Sequence, residues 1–238
     1  MYLIYSKKIP GNYLDELVEF LPDLNRIAIP QSQDVYDSIS SHPDIFLFVL
    51  DAKTIVYSRD LSRDTIDALK QSGIKLIRSM SIPRGTYPDT APLNALRIGN
   101  FIFHNLKYTD TAITTAAKKR DLRMVHTNQG YSRCSSIPVK ENALITSDQS
   151  IKEAARNVKL DVEIISPGSV ELPGQKYGFI GGTTGVLPDG RILFLGDITL
   201  HPDFSRIDNF LKKHSVRYIY IPNLPLFDAG SLLLLDSD

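Results

Sequence analysis

Apolar and polar positions along this chain follow a pattern that repeats. Residues 45–50 form a continuous apolar run. Asp51, Ala52 and Lys53 make a turn, and residues 54–57 are β-branched and aromatic. A helical stretch follows with Ile66 and Leu69 three apart, stopped by Gly73, and residues 74–77 form another short apolar segment. Apolar runs of this length read as strands, and apolar residues three or four apart read as one helix face. The pattern predicts strand, hairpin, strand, helix, strand.

The same order recurs. Residues 93–98, a turn at Gly99-Asn100, residues 101–103, a helix over 109–120 and residues 122–125 make a second copy. Residues 134–139, 143–146, a helix carrying Ile151, Ala154, Ala155 and Val158, and residues 162–165 make a third. Residues 179–187, a turn at Pro188-Asp189-Gly190, residues 191–195, a helix over 202–214 and residues 216–220 make a fourth. What remains is a lone apolar strand at 231–235 and, at the other end, a strand at 2–5, a helix near 13–20 and a strand at 26–29. Joined tail to head, these complete a fifth unit. The units are 231–238 plus 1–30, 42–78, 92–126, 130–166 and 176–221, within a single domain spanning 1–238. A period of about 48 residues falls in the range of repeat architectures. The expected fold is an α/β, five-bladed, pseudo-symmetric propeller closed by pairing of the N- and C-terminal segments, which leaves no open ring edge. A doubly wound α/β sheet accounts for the alternation but not for the hairpin inside every unit.

Composition narrows the function classes. The chain has 238 residues, 42% hydrophobic and 23% charged, with 27 basic against 27 acidic residues. Ordinary apolar content with no net charge disfavours disorder. A neutral balance argues against a nucleic-acid partner, because phosphate binding draws on clustered positive charge. No apolar run approaches the ~20 residues of a membrane helix, and the apolar start at 1–5 meets Lys7-Lys8 too soon for a signal peptide. Cys134 is the sole cysteine, so an internal disulfide and a cysteine-based zinc cluster are excluded. The expected setting is cytoplasmic, and no cofactor is expected. Asp197 with His201 is too sparse a pair to argue for a metal, and none is expected.

Polar residues gather just ahead of the first strand of each unit: His42-Pro43-Asp44; Tyr87-Pro88-Asp89 with Asn94; Asn128-Gln129-Gly130-Tyr131 with Cys134; Tyr177-Gly178 with Gly181-Gly182-Thr183-Thr184-Gly185; and Asp228-Ala229-Gly230-Ser231. In a closed ring these places surround the central mouth, the natural pocket. The Gly178 to Gly185 stretch lacks the Gly-Lys-Ser/Thr ending of a phosphate loop. Its glycines suit close backbone approach by a ligand or by another strand.

Five such units closed through the termini resemble the guanidino-group-modifying enzyme fold, also called the pentein fold. Asp228-Ala229-Gly230 resembles that superfamily's terminal Gly-Gly motif, and Asn128-Gln129-Gly130 resembles its carboxylate-Gly-Gly motif. The unit order carries the resemblance over nearly the whole chain. The superfamily's arginine deiminases, dimethylarginine hydrolases and amidinotransferases use a cysteine nucleophile shortly after the terminal Gly-Gly, a proton-shuttling histidine and cation-holding carboxylates. Here the nucleophile position falls at Leu233, between Leu232 and Leu234. The expected histidine region, 177–182, contains none, and Asn128 stands where the carboxylate is expected. The resemblance therefore implies the fold without the usual Cys-His catalysis.

The expected function is binding of a polar, amino-acid-like or guanidino-like small molecule in the central channel; the oligomeric state is left open. Asp44, Asp89 and Asp228 would offer charge, Asn94, Asn128 and Gln129 orientation, and Gly181, Gly182 and Thr183 close approach. Cys134 reads as a small buried hydrophobe. Its alternative reading is a displaced nucleophile, with His42 as base and Asp44 or Asp228 orienting it. That reading corresponds to an active hydrolase or amidinotransferase on a guanidino or amidine substrate. A third class is a non-enzymatic interaction protein, as in translation initiation factor 6, which resembles the same fold.

Overall fold

The structure is a computed structural model and describes residues 1–235. In chain order, β1 (Tyr2–Ser6), α1 (Gly11–Phe20) and β2 (Asn25–Ile29) open the fold. Next come α2 (Pro43–Phe46), β3 (Leu47–Asp51), β4 (Thr54–Tyr57), α3 (Arg63–Gln71) and β5 (Lys75–Arg78). The third group is β6 (Leu96–Ile98), β7 (Phe101–His104), α4 (Thr111–Lys119) and β8 (Arg123–His126). The fourth is β9 (Ser136–Lys140), β10 (Ala143–Thr146), α5 (Gln149–Asn157) and β11 (Asp161–Ile164). The fifth is β12 (Thr184–Val186), β13 (Ile192–Phe194), α6 (Phe204–Lys213) and β14 (Tyr218–Tyr220), and β15 (Leu233–Leu235) ends the described chain.

These strands form five separate three-stranded sheets. In each, a hairpin pairs the first two strands antiparallel, and the strand after the helix adds in parallel. The sheet made by the termini obeys the same rule across the chain ends. There β15 runs antiparallel to β1, with Leu3 opposite Leu234, while β2 is parallel to β1. The ring is thus closed by the two ends, as the repeat pattern predicts, and the fold is the five-bladed α/β propeller. Residues 236–238 of the expected unit formed by the chain ends lie outside the described residues.

Three of the helices start on side-chain caps that their sequences supply. Ser62 accepts from the Thr65 amide, Asp110 from Ala112 and Asp148 from Ile151, satisfying donors that a helix start leaves orphaned. Apolar residues on one face of each helix then pack on their sheet, as Ile207, Phe210 and Leu211 do with Ile192 and Phe194.

The first strands are shorter than their apolar runs suggest, and the difference shapes the site. Ile45 and Phe46 belong to one helical turn instead of a strand. Pro43 sits at its start, where a missing N–H costs nothing, and the Asp44 amide donates to Gly230 O at 3.1 Å. The third and fourth runs likewise begin as strand only at Ser136 and Thr184, and the second only at Leu96. The residues ahead of them form turns.

Each first strand carries a partly buried residue: Val49, Arg97, Pro138, Val186 and Leu234. All five line a central cavity of about 710 Å³. Asp44 and Arg133, which precede the strands, line it too.

Candidate functional site

Five turns, one ahead of each first strand, meet at a buried hub. They bring His42 and Asp44, Asn94, Arg133 and Cys134, Gly181 and Gly182, and Asp228 with Ser231. The side chains are almost wholly enclosed: His42 is 3% exposed, Asp44 1%, Cys134 4%, Asp228 1% and Asn94 0%.

The bonds between them cross the units. The Cys134 thiol donates to Asp44 Oδ2 at 2.9 Å, and the Ser231 hydroxyl donates to the same oxygen at 2.7 Å. Asn94 Nδ2 donates to Cys134 Sγ at 3.2 Å, while Asn94 Oδ1 accepts from the amides of Arg133 and Cys134. Asp228 accepts from the Phe179 amide at 2.8 Å and from the Gly230 amide at 2.9 Å. His42 Nδ1 lies 3.8 Å from Asp228 Oδ1. Arg133 spans three main-chain carbonyls, those of Ser136, Gly181 and Thr184.

Burial dominates the electrostatics, because removing a charge from water penalises the charged form. It raises the Asp44 carboxyl against the opposing pull of His42 and of the Cys134 and Ser231 hydrogen bonds. It lifts Asp228 to about 6, opposed by the Phe179 and Gly230 amides and by Arg133. It lowers His42 to about 4, with Asp44 pulling the other way. The Cys134 thiol goes well above its ordinary value, through burial first and the Asp44 and Asp228 charges second. The Arg133 guanidinium is lowered by burial and held up by Asp44, Cys134 and Asp228. The hub therefore sets two acidic side chains, both pushed towards the neutral form by burial, against one guanidinium, beside an imidazole and a thiol that burial also keeps neutral.

Three buried side-chain atoms among the described residues have no hydrogen-bond partner: His42 Nδ1, Asp44 Oδ1 and Ser135 Oγ. Two of them belong to the hub. Such atoms are rare in folded proteins and call for an explanation. Beside the hub stands an aromatic group. Tyr131 bonds Thr90 and, at 3.4 Å, Tyr36, and its ring packs on Tyr87 and Phe179. Burial raises Tyr36, and the charges of Cys134 and Asp228 add to the effect.

Of the residues singled out from the sequence, the structure brings His42, Asp44, Asn94, Cys134, Gly181, Gly182 and Asp228 together. The glycines admit close backbone approach: the Gly182 amide donates to Cys134 O, and Gly182 O accepts from Ala229 and Ser231. The approach they admit is by neighbouring protein. Thr183 is buried, and its hydroxyl is used on Ile180 O. Asp89, Asn128 and Gln129 are not brought to the hub. Asp89 and Asn128 are exposed in loops. The Gln129 amide braces its own loop, accepting from the Tyr131 amide and donating to Asp148 Oδ2. The sequence reading passed over Arg133; its only signal was a basic residue at the entry to an apolar strand.

No curated protein matches the chain by sequence. Solved structures do match in fold. DDAH from Pseudomonas aeruginosa, a mutant complexed with citrulline, superposes with a TM-score of 0.51 at 9% identity, over 93% of this chain and 91% of that one. C. jejuni agmatine deiminase gives 0.53 at 8% identity, over 94% and 90%. An amidinotransferase from Microseira wollei gives 0.53 at 12% identity, over 89% and 74%. These likenesses identify the fold as the pentein fold. Among the described residues no helix is long and apolar enough to cross a membrane. A family of unknown function, DUF6873, matches residues 4–233, nearly the full length, and the chain belongs to that family.

Proposed function

We propose that this chain binds a small molecule in the central channel, with a guanidino or amino head against Asp44. One observation carries the reading. Asp44 is buried, lines the cavity and keeps Oδ1 unbonded, in a hub where two carboxylates face the single fixed cation Arg133. A monocation supplies the charge missing once both acids ionise, and a charge-assisted hydrogen bond to the free oxygen contributes about 1.5–3 kcal/mol. Val49, Pro138, Val186 and Leu234 supply apolar walls for the rest of the molecule. The cavity volume of about 710 Å³ suits a small molecule. Fold relatives named as an agmatine deiminase and a DDAH bound to citrulline make guanidino compounds the first class to try.

Thermal melts with agmatine, arginine and the uncharged ureido compound butylurea test this. At about a hundred times Kd a ligand adds roughly 2.7 kcal/mol, a rise of several degrees for a chain of this size. Agmatine or arginine should give that rise, butylurea should not, and Asp44→Asn should abolish it. No response to any guanidino or amino compound would end the proposal.

A second reading makes Cys134 the nucleophile of a hydrolase or amidinotransferase. It is favoured by the Cys134 sulfur, a His42 ring nitrogen and an Asp44 oxygen lying within 4.8 Å of one another. The raised thiol opposes it, because the thiolate is the nucleophile. Ammonia or citrulline release that Cys134→Ala abolishes would select this reading. A ligand-induced melting shift that survives Cys134→Ala, without turnover, selects the binder.

A further inference from the structure

We propose that His42, Asp44 and Cys134 form a binding site for one divalent transition-metal ion, zinc by the nature of the donors. Each residue offers one ligand atom, the three atoms lie within 4.8 Å of one another, and all three residues are buried. Tetrahedral coordination at ordinary Zn–S, Zn–N and Zn–O lengths places ligand atoms roughly 3.3–3.7 Å apart, so side-chain shifts of about 1 Å or less bring the three onto one ion. Thiolate, imidazole and carboxylate together select zinc or cobalt over magnesium or calcium.

A second, independent observation points to an occupant. Asp44 Oδ1 and His42 Nδ1 are unpartnered although their residues are 1% and 3% exposed. Polar atoms sealed from water in this way are costly to leave unbonded, and a metal ion satisfies them. The surroundings also have the form of an outer shell. Asn94 Nδ2 reaches the cysteine sulfur, and the Ser231 hydroxyl holds Asp44 Oδ2. Metal ligands are oriented by partners of this kind.

Charge and protons balance. The thiol proton, now donated to Asp44 Oδ2, leaves to solvent as the sulfur–metal bond forms, and no electrons are transferred. The ion and Arg133 then match the three negative groups Cys134, Asp44 and Asp228. Three protein ligands leave a tetrahedral ion one position short, and Asp44 borders the channel from which a small molecule or water would fill it. This inference does not rest on the small-molecule reading. An ion in the cluster and an organic cation against Asp44 answer the same missing charge differently, so either can fail alone.

The test is cobalt titration of the full chain after chelator treatment. One equivalent of Co²⁺ should produce a thiolate-to-cobalt charge-transfer band and the visible bands of a tetrahedral ion, and Zn²⁺ should displace both. Cys134→Ser should remove the charge-transfer band. His42→Gln should weaken Co²⁺ binding by at least ten-fold, and His126→Gln, on the surface, should change nothing. The wild-type chain decides the matter even where a variant fails to fold. Circular dichroism showing it folded, with no stoichiometric uptake of Co²⁺ or Zn²⁺, would overturn the site, as would an unchanged spectrum in folded Cys134→Ser. Melts with agmatine run in excess chelator report on the organic ligand separately.

Discussion

Gly182 and Asp228 are packed backbone against carboxylate. A Cβ added to Gly182 would fall on the Asp228 carboxylate. The same stretch receives the Ala229 and Ser231 amides on Gly182 O, so the carboxylate has little room to retreat.

Gly182→Ala should therefore cost about 1–3 kcal/mol by overpacking and displace Asp228 from its amide donors. Gly11→Ala is the control. A Cβ there meets nothing within 4 Å, and the position opens α1, where alanine is neutral or slightly stabilising. Urea unfolding of the two variants should separate them clearly; equal midpoints would contradict the packing described for the hub.

The closing of the ring by its ends predicts an unusual sensitivity near the N-terminus. Leu3 is fully buried, pairs with Leu234 across the terminal sheet, and packs with Leu193 and Leu232. Leu3→Ala should lower stability by roughly 2–5 kcal/mol, as in other core truncations. A value near that of an exposed leucine, such as Leu106→Ala, would mean the terminal strands add little to the fold.

These two cases mark what the sequence disclosed. The ring was legible because each first strand reads as an apolar run, and each unit adds a hairpin and a helix with one apolar face. Residues 231–235 made sense only as the missing strand of β1. Strand beginnings were misjudged because Ile45 and Phe46 are apolar for a different reason: a buried helical turn needs the same residues as a buried strand. The site followed the same logic. Asp44, Asn94, Cys134 and Asp228 stood out as polar groups at the doors of apolar strands. Asn128 and Gln129 carry that signature too, yet their partners are in nearby loops. Spacing shows that a polar group needs a partner, not whether the partner lies in its own loop or across the ring. Arg133 carried no such signal, because two of its carbonyl partners, Gly181 and Thr184, lie in the next unit.

A buried histidine outside the hub sets a pH dependence. His104 is lowered to about 4 by burial, partly offset by the carbonyls of Gly130 and Ala91. Its folded-state value is thus below its unfolded value of about 6.5, and the fold favours the neutral ring. The stability this supplies is present above pH ~6.5 and is lost as pH falls towards ~4, by roughly 3 kcal/mol in all. Hub groups titrate in the same range, so the informative quantity is the difference between wild type and His104→Gln. That difference in unfolding free energy should shrink steadily from pH 7 to pH 4; a constant difference would show that His104 titrates normally in the fold.

Arg133 separates stability from ligand affinity. Its guanidinium donates to Ser136 O at 3.1 Å, Gly181 O at 3.0 Å and Thr184 O at 3.1 Å, tying the β9–β11 unit to the β12–β14 unit. A lysine has the charge but not the fork, and a methionine has neither. Arg133→Lys should lose about 2 kcal/mol, from carbonyls left without donors. Arg133→Met should lose at least as much. The two variants should then part company over agmatine. Lysine keeps the fixed cation that competes with a bound one, whereas methionine removes it and leaves Asp44 and Asp228 less compensated. Calorimetric titration of folded Arg133→Met should therefore show tighter agmatine binding than wild type, despite the weaker fold. Agmatine binding weakened in both variants would mean that Arg133 holds the channel in shape, and that the balance of charge in the hub does not set its affinity for cations.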